Sequence, residues 1–190
     1  MWIKPILLYG PTLRLEPLSE AHAPLWASQH DPELFAYMSR GGPEEGSEGA
    51  YRAYIARLNA EPARLNWAIR VGEGFAGRVS YFAIQERNRA LEVGTFIVGA
   101  YQGTQVNPEA KYVLLRHAFE DKGAIRVQFK VDARNERSVR AIEKIGAVRE
   151  GLLRKHEITP GGHIRDSVIY SIIDEDWPRV RAGLEARLGI

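Results

Sequence analysis

Glu92 is a carboxylate set in an otherwise apolar run, Leu91-Glu92-Val93-Gly94-Thr95-Phe96-Ile97-Val98. Burial among such neighbours raises a carboxyl pKa toward the range in which it accepts a proton near neutral pH. Glu92 is therefore the first candidate for a general base; an arginine's structural partner or a solvent-facing strand residue are the alternatives. The run is rich in β-branched and aromatic residues, has the length of a buried strand and ends at Gly99. Tyr101 to Glu109 then form a polar turn, with Asn107 as an N-cap, Pro108 at the first helical position and Glu109 behind it. A helix that starts directly after a strand presents free amides and a positive dipole end, a geometry suited to a pyrophosphate. The same residues also make an ordinary, well-capped strand-to-helix turn.

A second constellation follows. Asp132-Ala133-Arg134-Asn135-Glu136-Arg137-Ser138 opens a helix with Val139, Ile142 and Ile145 along one face, ending at Gly146-Ala147. Gly94 interrupts a strong strand and points to a bulge or a close backbone approach there, so that the strand splays from a neighbour and frees backbone groups.

These two stretches resemble the signatures of the GCN5-related N-acetyltransferases, in particular the branch that acetylates ribosomal-protein N-termini and similar amines. Gln102 and the adjacent Gly103 fit the family's acetyl-CoA loop, Gln/Arg-x-x-Gly-x-Gly/Ala, with Gly103 at a variable position and Gln105 and Asn107 where small residues are usual. Asn135-x-x-Ser138 followed by Ile145-Gly146-Ala147 is similar to the second signature, with Ala147 in place of an aromatic residue. The similarity runs from about Thr12 to Leu188.

The resemblance implies acetyl transfer from acetyl-CoA to a primary amine, directly and in a ternary complex, since no cysteine is present to carry an acyl group. Glu92 then stands where several members hold the general base. Many relatives place a leaving-group tyrosine where this chain has Ile142, which leaves Ser138 as the candidate acid. The backbone N–H groups of Phe96, Ile97 or Val98 polarise the thioester carbonyl. The amides of Gly103, Thr104, Gln105, Val106 and Asn107 hold the phosphates, Gln102 belongs to the same loop, and Asn135 either bonds the cofactor arm or caps its helix. Phe35, Tyr37 and Tyr51 are candidates for an acceptor wall, with core packing as the default. His156, Glu157 and His163 flank a hairpin and read more simply as solvated loop residues. A catalytically silent acyl-CoA-binding sensor or scaffold is the alternative function, because of the altered loop and the missing tyrosine.

Composition narrows the classes. The 190 residues are 45% hydrophobic and 26% charged, with a formal net charge of +2. That is one soluble domain over residues 1–190, with too little charge to favour nucleic acid. Without cysteine there are no disulfides or thiolate sites, and the five histidines show no metal spacing. No run is long enough for a membrane span or a signal-peptide core, so a cytoplasmic protein is expected, with a possible homodimer as a family-level expectation.

The elements that must position these residues follow from periodicity. Residues 1–11 read as an extended arm, Thr12 to Leu18 as a first strand, and Tyr51, Tyr54, Ile55 and Leu58 as one helix face. Strands are expected at Leu65–Val71, Phe75–Gln85, Leu91–Val98 and Ile125–Val131, and a hairpin at Ala147–Ile173. The fold class is α+β (mixed α/β): a mostly antiparallel, twisted sheet of about seven strands with a splayed parallel pair in the middle, flanked by about five helices.

Overall fold

The computed structural model describes residues 2–190; Met1, where the expected arm begins, lies outside the described residues. The strands are β1 (Leu8–Tyr9), β2 (Arg14–Pro17), β3 (Leu65–Val71), β4 (Gly74–Gln85), β5 (Ala90–Ile97), β6 (Arg126–Asp132), β7 (Val148–Ile158) and β8 (Ile164–Ile173). The helices are α1 (Ala23–Ala27), α2 (Glu48–Asn59), α3 (Val106–Arg116), α4 (Glu136–Glu143) and α5 (Trp177–Leu188). One sheet contains all eight strands in the order β1-β2-β3-β4-β5-β6-β8-β7. Among the described residues, only β5 and β6 run parallel. The strand beyond the expected seven is β1, two arm residues that pair Leu8 with Leu15 and Tyr9 with Arg14.

Alternation along the strands assigns the two faces of the sheet. Val127, Phe129 and Val131 of β6 join Ala110, Val113 and Leu114 of α3, Ile142 of α4, and Trp177, Val180 and Leu184 of α5 in one core. On the other face, Trp26, Tyr51, Tyr54 and Ile55 of α1 and α2 pack on Ala68, Phe75, Phe96 and Val98. Trp26 is the hub, stacked on Phe75 at 5.0 Å and tilted against Tyr51 at 5.3 Å. Full burial of such a side chain contributes about 2–3 kcal/mol. The α2 helix begins where its sequence places it, with the Ser47 hydroxyl accepting the Ala50 amide at 3.2 Å.

Among the described residues, this second core takes nothing from β6, β7 or β8. That half of the face is polar: register brings Glu92 beside Gln128, Gln128 beside Ser171 and Asp132 beside Ser167. Gly94 proves not to be a bulge. It lies in register with Ser80, and the irregularity falls between Phe82 and Gln85 on β4, where Ala83 has φ 48°. Gly94 instead makes room for the Phe82 ring, which would lie 3.0 Å from an added Cβ.

Candidate active site

The sheet opens where β5 and β6 part. Their pairing is confined to Ala90–Glu92 against Arg126–Gln128, while β5 continues beside β4 as far as Ile97. The Val98 amide donates to the Ala76 carbonyl at 3.1 Å. Antiparallel alternation therefore directs the Phe96 N–H to the β4 side as well, and the N–H groups of Thr95 and Ile97 into the opening. Of the three expected carbonyl-polarising donors, Phe96 and Val98 are committed to the ladder, and Ile97 alone faces the gap. Its own carbonyl accepts from Gln102 Nε2 at 3.1 Å.

The loop that follows departs from its sequence pattern at the cap. The α3 helix starts at Val106 with Gln105 as N-cap, so Asn107 and Pro108 lie inside the first turn. Pro108 is tolerated there because a first-turn N–H has no helical partner to lose. Thr104 does the capping: its hydroxyl donates to the Tyr101 carbonyl at 2.7 Å and accepts the Val106 amide at 3.3 Å. This takes Val106 out of the expected phosphate contacts. The amides of Gly103, Thr104, Gln105 and Asn107 have no partner among the described residues. Gly103 has φ +78° with nothing within 4 Å of an added Cβ, so glycine is needed for its conformation rather than for space.

Both unusual side chains turn away from these amides. Gln105, at φ −73°, donates through Nε2 to the Arg187 carbonyl of α5 at 3.0 Å. Asn107 Oδ1 accepts from Lys111 Nζ, whose pKa burial lowers to about 7. Glu109 is not a surface charge at the helix start. It is 2% exposed and accepts from Thr12 N (2.7 Å), Leu13 N (2.9 Å) and Thr12 Oγ1 (2.6 Å).

The α4 helix supplies the opposite wall. Asn135 Oδ1 accepts the Ser138 amide at 3.1 Å, so Asn135 does cap its helix. Arg137 Nη1 donates to Gln102 Oε1, a direct tie between the two sequence signatures. Gln102, Asn135 and Arg137 line one cleft of about 700 Å³, together with Tyr37 and Arg134. Arg134 is held by Asp132, Nε to Oδ1 at 3.0 Å and Nη2 to Oδ2 at 2.8 Å, and its guanidinium lies 5.5 Å over the Tyr37 ring. Burial pushes the Asp132 carboxyl up, but these bonds outweigh it and hold it below the usual range. A smaller cleft of about 310 Å³ adjoins at Arg134, lined also by Phe35, Met38, Thr159 and His163.

Of the three aromatic residues considered for an acceptor wall, Tyr37 is exposed in the larger cleft. Phe35 stacks on Phe96 at 4.7 Å and shows an edge to the smaller cleft. Tyr51 is wholly buried in the core. Ser138 is half-buried and lines neither cleft.

Glu92 lies outside both clefts, on the polar half of the sheet. Glu92 is 5% exposed, and its carboxylate accepts from Gln128 Nε2 at 3.3 Å and stands 3.9 Å from Lys130 Nζ; among the described residues Oε1 has no hydrogen-bond partner. Burial raises its pKa, against the opposing pull of Lys130 and Gln128. Lys130 in turn binds Glu157 at 3.0 Å, and Arg165 Nη1 lies 3.6 Å from Glu157 and donates to Ser39 Oγ at 2.8 Å. Glu157 and His156 are thus not solvated loop residues: His156 Nδ1 is 3.1 Å from Ser167 Oγ and 3.5 Å from Glu157. His163 is exposed, as its place in the hairpin turn implies. The alternation of Gln128, Lys130 and Asp132 opposite Val127, Phe129 and Val131 was the signal for this polar layer.

A sheet opened beside a parallel pair, with donors free at the next helix start, is the architecture of the acetyltransferases, and the chain belongs to the acetyltransferase (GNAT) family. The model described as "Acetyltransferase (GNAT) domain" matches residues 12–148. The chain is an N-acetyltransferase, in a family that uses acetyl-CoA. It is 31% identical over 127 residues, 67% of each chain, to YdaF of Bacillus subtilis (strain 168), provisionally named a ribosomal N-acetyltransferase. A crystal structure of a provisionally assigned acetyltransferase from T. thermophilus matches with TM-score 0.94 at 50% identity, over 99% of this chain and 100% of that one. Mycobacterium smegmatis RimJ in complex with CoA-disulfide matches with TM-score 0.78 over 97% of this chain and 93% of its own; at 20% identity it speaks for the fold alone.

Proposed function

We propose that this N-acetyltransferase moves the acetyl group of acetyl-CoA directly to a primary amine within a ternary complex. The observation that carries the proposal is the set of four unpartnered amides, Gly103, Thr104, Gln105 and Asn107, at the mouth of the opened sheet. A diphosphate on these donors gains charge-assisted hydrogen bonds and the helix dipole, with Arg137 beside it on Gln102. The amide-bearing arm of the cofactor then extends along Thr95 and Ile97 as an added strand, and Asn135 keeps its Nδ2 donors for that arm.

In the transfer, Glu92 accepts a proton from the acceptor ammonium. The freed nitrogen attacks the thioester carbonyl, the C–N bond forms and the C–S bond breaks, and the Ile97 N–H stabilises the charge developing on oxygen. Ser138 protonates the leaving thiolate and is restored by the second proton that the nitrogen releases. The sequence has no cysteine to carry an acyl-enzyme. The name of YdaF makes a protein N-terminus the first acceptor to try, ahead of a small-molecule amine. A homodimer is proposed through the free edge of β7, which exposes Val148, Leu152, Leu153 and Ile158.

The test is thiol release from acetyl-CoA with a panel of short peptide amides, polyamines and amino acids. Turnover with at least one is expected. Tight acetyl-CoA binding without thiol release for any amine would leave an acyl-CoA sensor in its place.

A further inference from the structure

Six buried side-chain atoms lack a hydrogen-bond partner among the described residues, and three of them, Glu92 Oε1, Glu157 Oε2 and Arg165 Nε, belong to one linked cluster in which Lys130 contacts both glutamates and Arg165 lies against Glu157. Leaving a buried polar atom unpaired costs about 1–3 kcal/mol, so Glu92 Oε1 and Arg165 Nε are an expensive pair unless something else is bound there, while Glu157 Oε2 is faced by Arg165 Nη1 at 3.6 Å. Glu92 and Arg165 are 5% and 4% exposed. The cluster is built, not accidental. The β7 register shifts between Leu153 and Glu157, with Lys155 at φ 49° and its amide donating to Asp166 Oδ1 at 2.7 Å. That bulge re-aims the strand and sets Glu157 opposite Arg165, on the face that carries Glu92.

We propose that Glu157 is the second carboxylate of the acceptor subsite: with Glu92 it receives the amine as an ammonium ion, and Lys130 neutralises the pair until the acceptor arrives. This rests on the assignment of Glu92 as the base. Lys130 Nζ already shows what the site accepts, a primary ammonium 3.0 Å from one carboxylate and 3.9 Å from the other. Its flexible stem lets the ammonium swing aside while the strand stays fixed. The two carboxylates divide the work. Burial pushes Glu157 up, but nearby Ser39, Lys130 and Arg165 outweigh it and keep it ionised as a receptor, whereas burial holds Glu92 above its usual range as a proton acceptor. The ligand class is an amine that is cationic at the assay pH. Arg165 Nε offers a donor to an oxygen beside that amine.

The test is calorimetry of n-butylammonium chloride into the CoA-saturated protein, a dead-end complex that needs no turnover, with n-butanol as the uncharged control. Butylammonium is expected to bind and butanol not. Glu157→Gln should weaken binding about tenfold or more and Lys130→Met should tighten it, both with unchanged CoA affinity, which also reports that the variants are folded. With a turned-over amine, Glu157→Gln should raise KM about tenfold with kcat within about threefold, the split expected of a binding group. Equal binding of amine and alcohol, or Glu157→Gln binding butylammonium like the parent, overturns the proposal. Failure of CoA itself to bind would instead overturn the cofactor assignment beneath it.

Discussion

Replacing Glu92 by Gln keeps the shape of the side chain and its contact with Gln128 but removes the proton acceptor. General-base assistance is worth about 10²–10⁴ in rate, or roughly 3–5 kcal/mol of barrier, and kcat for Glu92→Gln should fall by that factor while acetyl-CoA affinity holds. In the parent, the base must be ionised, so the rate should drop tenfold for each pH unit below its raised pKa; the variant should lose this acid limb. The groups that set that pKa are Gln128 and Lys130 on β6, Glu157 on β7 and Arg165 on β8. Stability should move in the opposite direction. A carboxyl raised in the folded state binds more protons there than in the unfolded chain, so its contribution is fully present below the unfolded value near 4.5 and is lost as pH rises through the folded value. At neutral pH Glu92→Gln should therefore unfold at a higher temperature than the parent. The assays are a pH profile of thiol release and a pair of melting curves at pH 4 and pH 7.5. A variant that keeps the acid limb and at least a tenth of kcat would remove Glu92 from the chemistry.

Three further outcomes are expected. Glu109→Ala leaves the donors at Thr12 and Leu13 unpaired and should cost about 3–5 kcal/mol, a fall of about 10 °C in Tm, whereas Glu109→Gln, which still accepts both amides, should cost about 1 kcal/mol; equal losses would refute the anchoring role. Arg126 binds Glu150 at 2.6 and 2.5 Å and holds its pKa at about 2. Because the pair is partly exposed, Glu150→Gln should cost only about 1 kcal/mol at pH 7; a depressed carboxyl stabilises above its unfolded pKa near 4.5, so the difference should vanish as pH falls toward 2 in acid-denaturation curves. Gln105→Ala should leave CoA affinity within about twofold, since its side chain faces Arg187 and not the free amides; a large loss measured by calorimetry would place that side chain on the phosphate.

Local pattern carried the strand that opens at Leu91, the polar loop after it and the helix that follows, because burial on a strand and on a helix face repeats every two and every 3.6 residues. It also carried the parallel pair, which follows from a strand-helix-strand crossover. The helix start was misplaced by two residues because the competing cap, Thr104, acts through a turn, and Glu109 is claimed by Thr12, 97 positions away. Glu157 looked solvated because no short-range signal marks the bulge at Lys155 that turns it inward. The Arg137–Gln102 bond spans 35 positions, so the union of the two signatures became visible only in the fold.

The central claim is that the unpartnered amides at the start of α3 grip the cofactor's diphosphate, and titration calorimetry with CoA and with pantetheine tests it most directly. CoA should bind one per chain and pantetheine at least about 100-fold more weakly, the loss of roughly two charge-assisted hydrogen bonds. No heat from CoA at millimolar concentration, or equal affinity for the two ligands, would contradict the account.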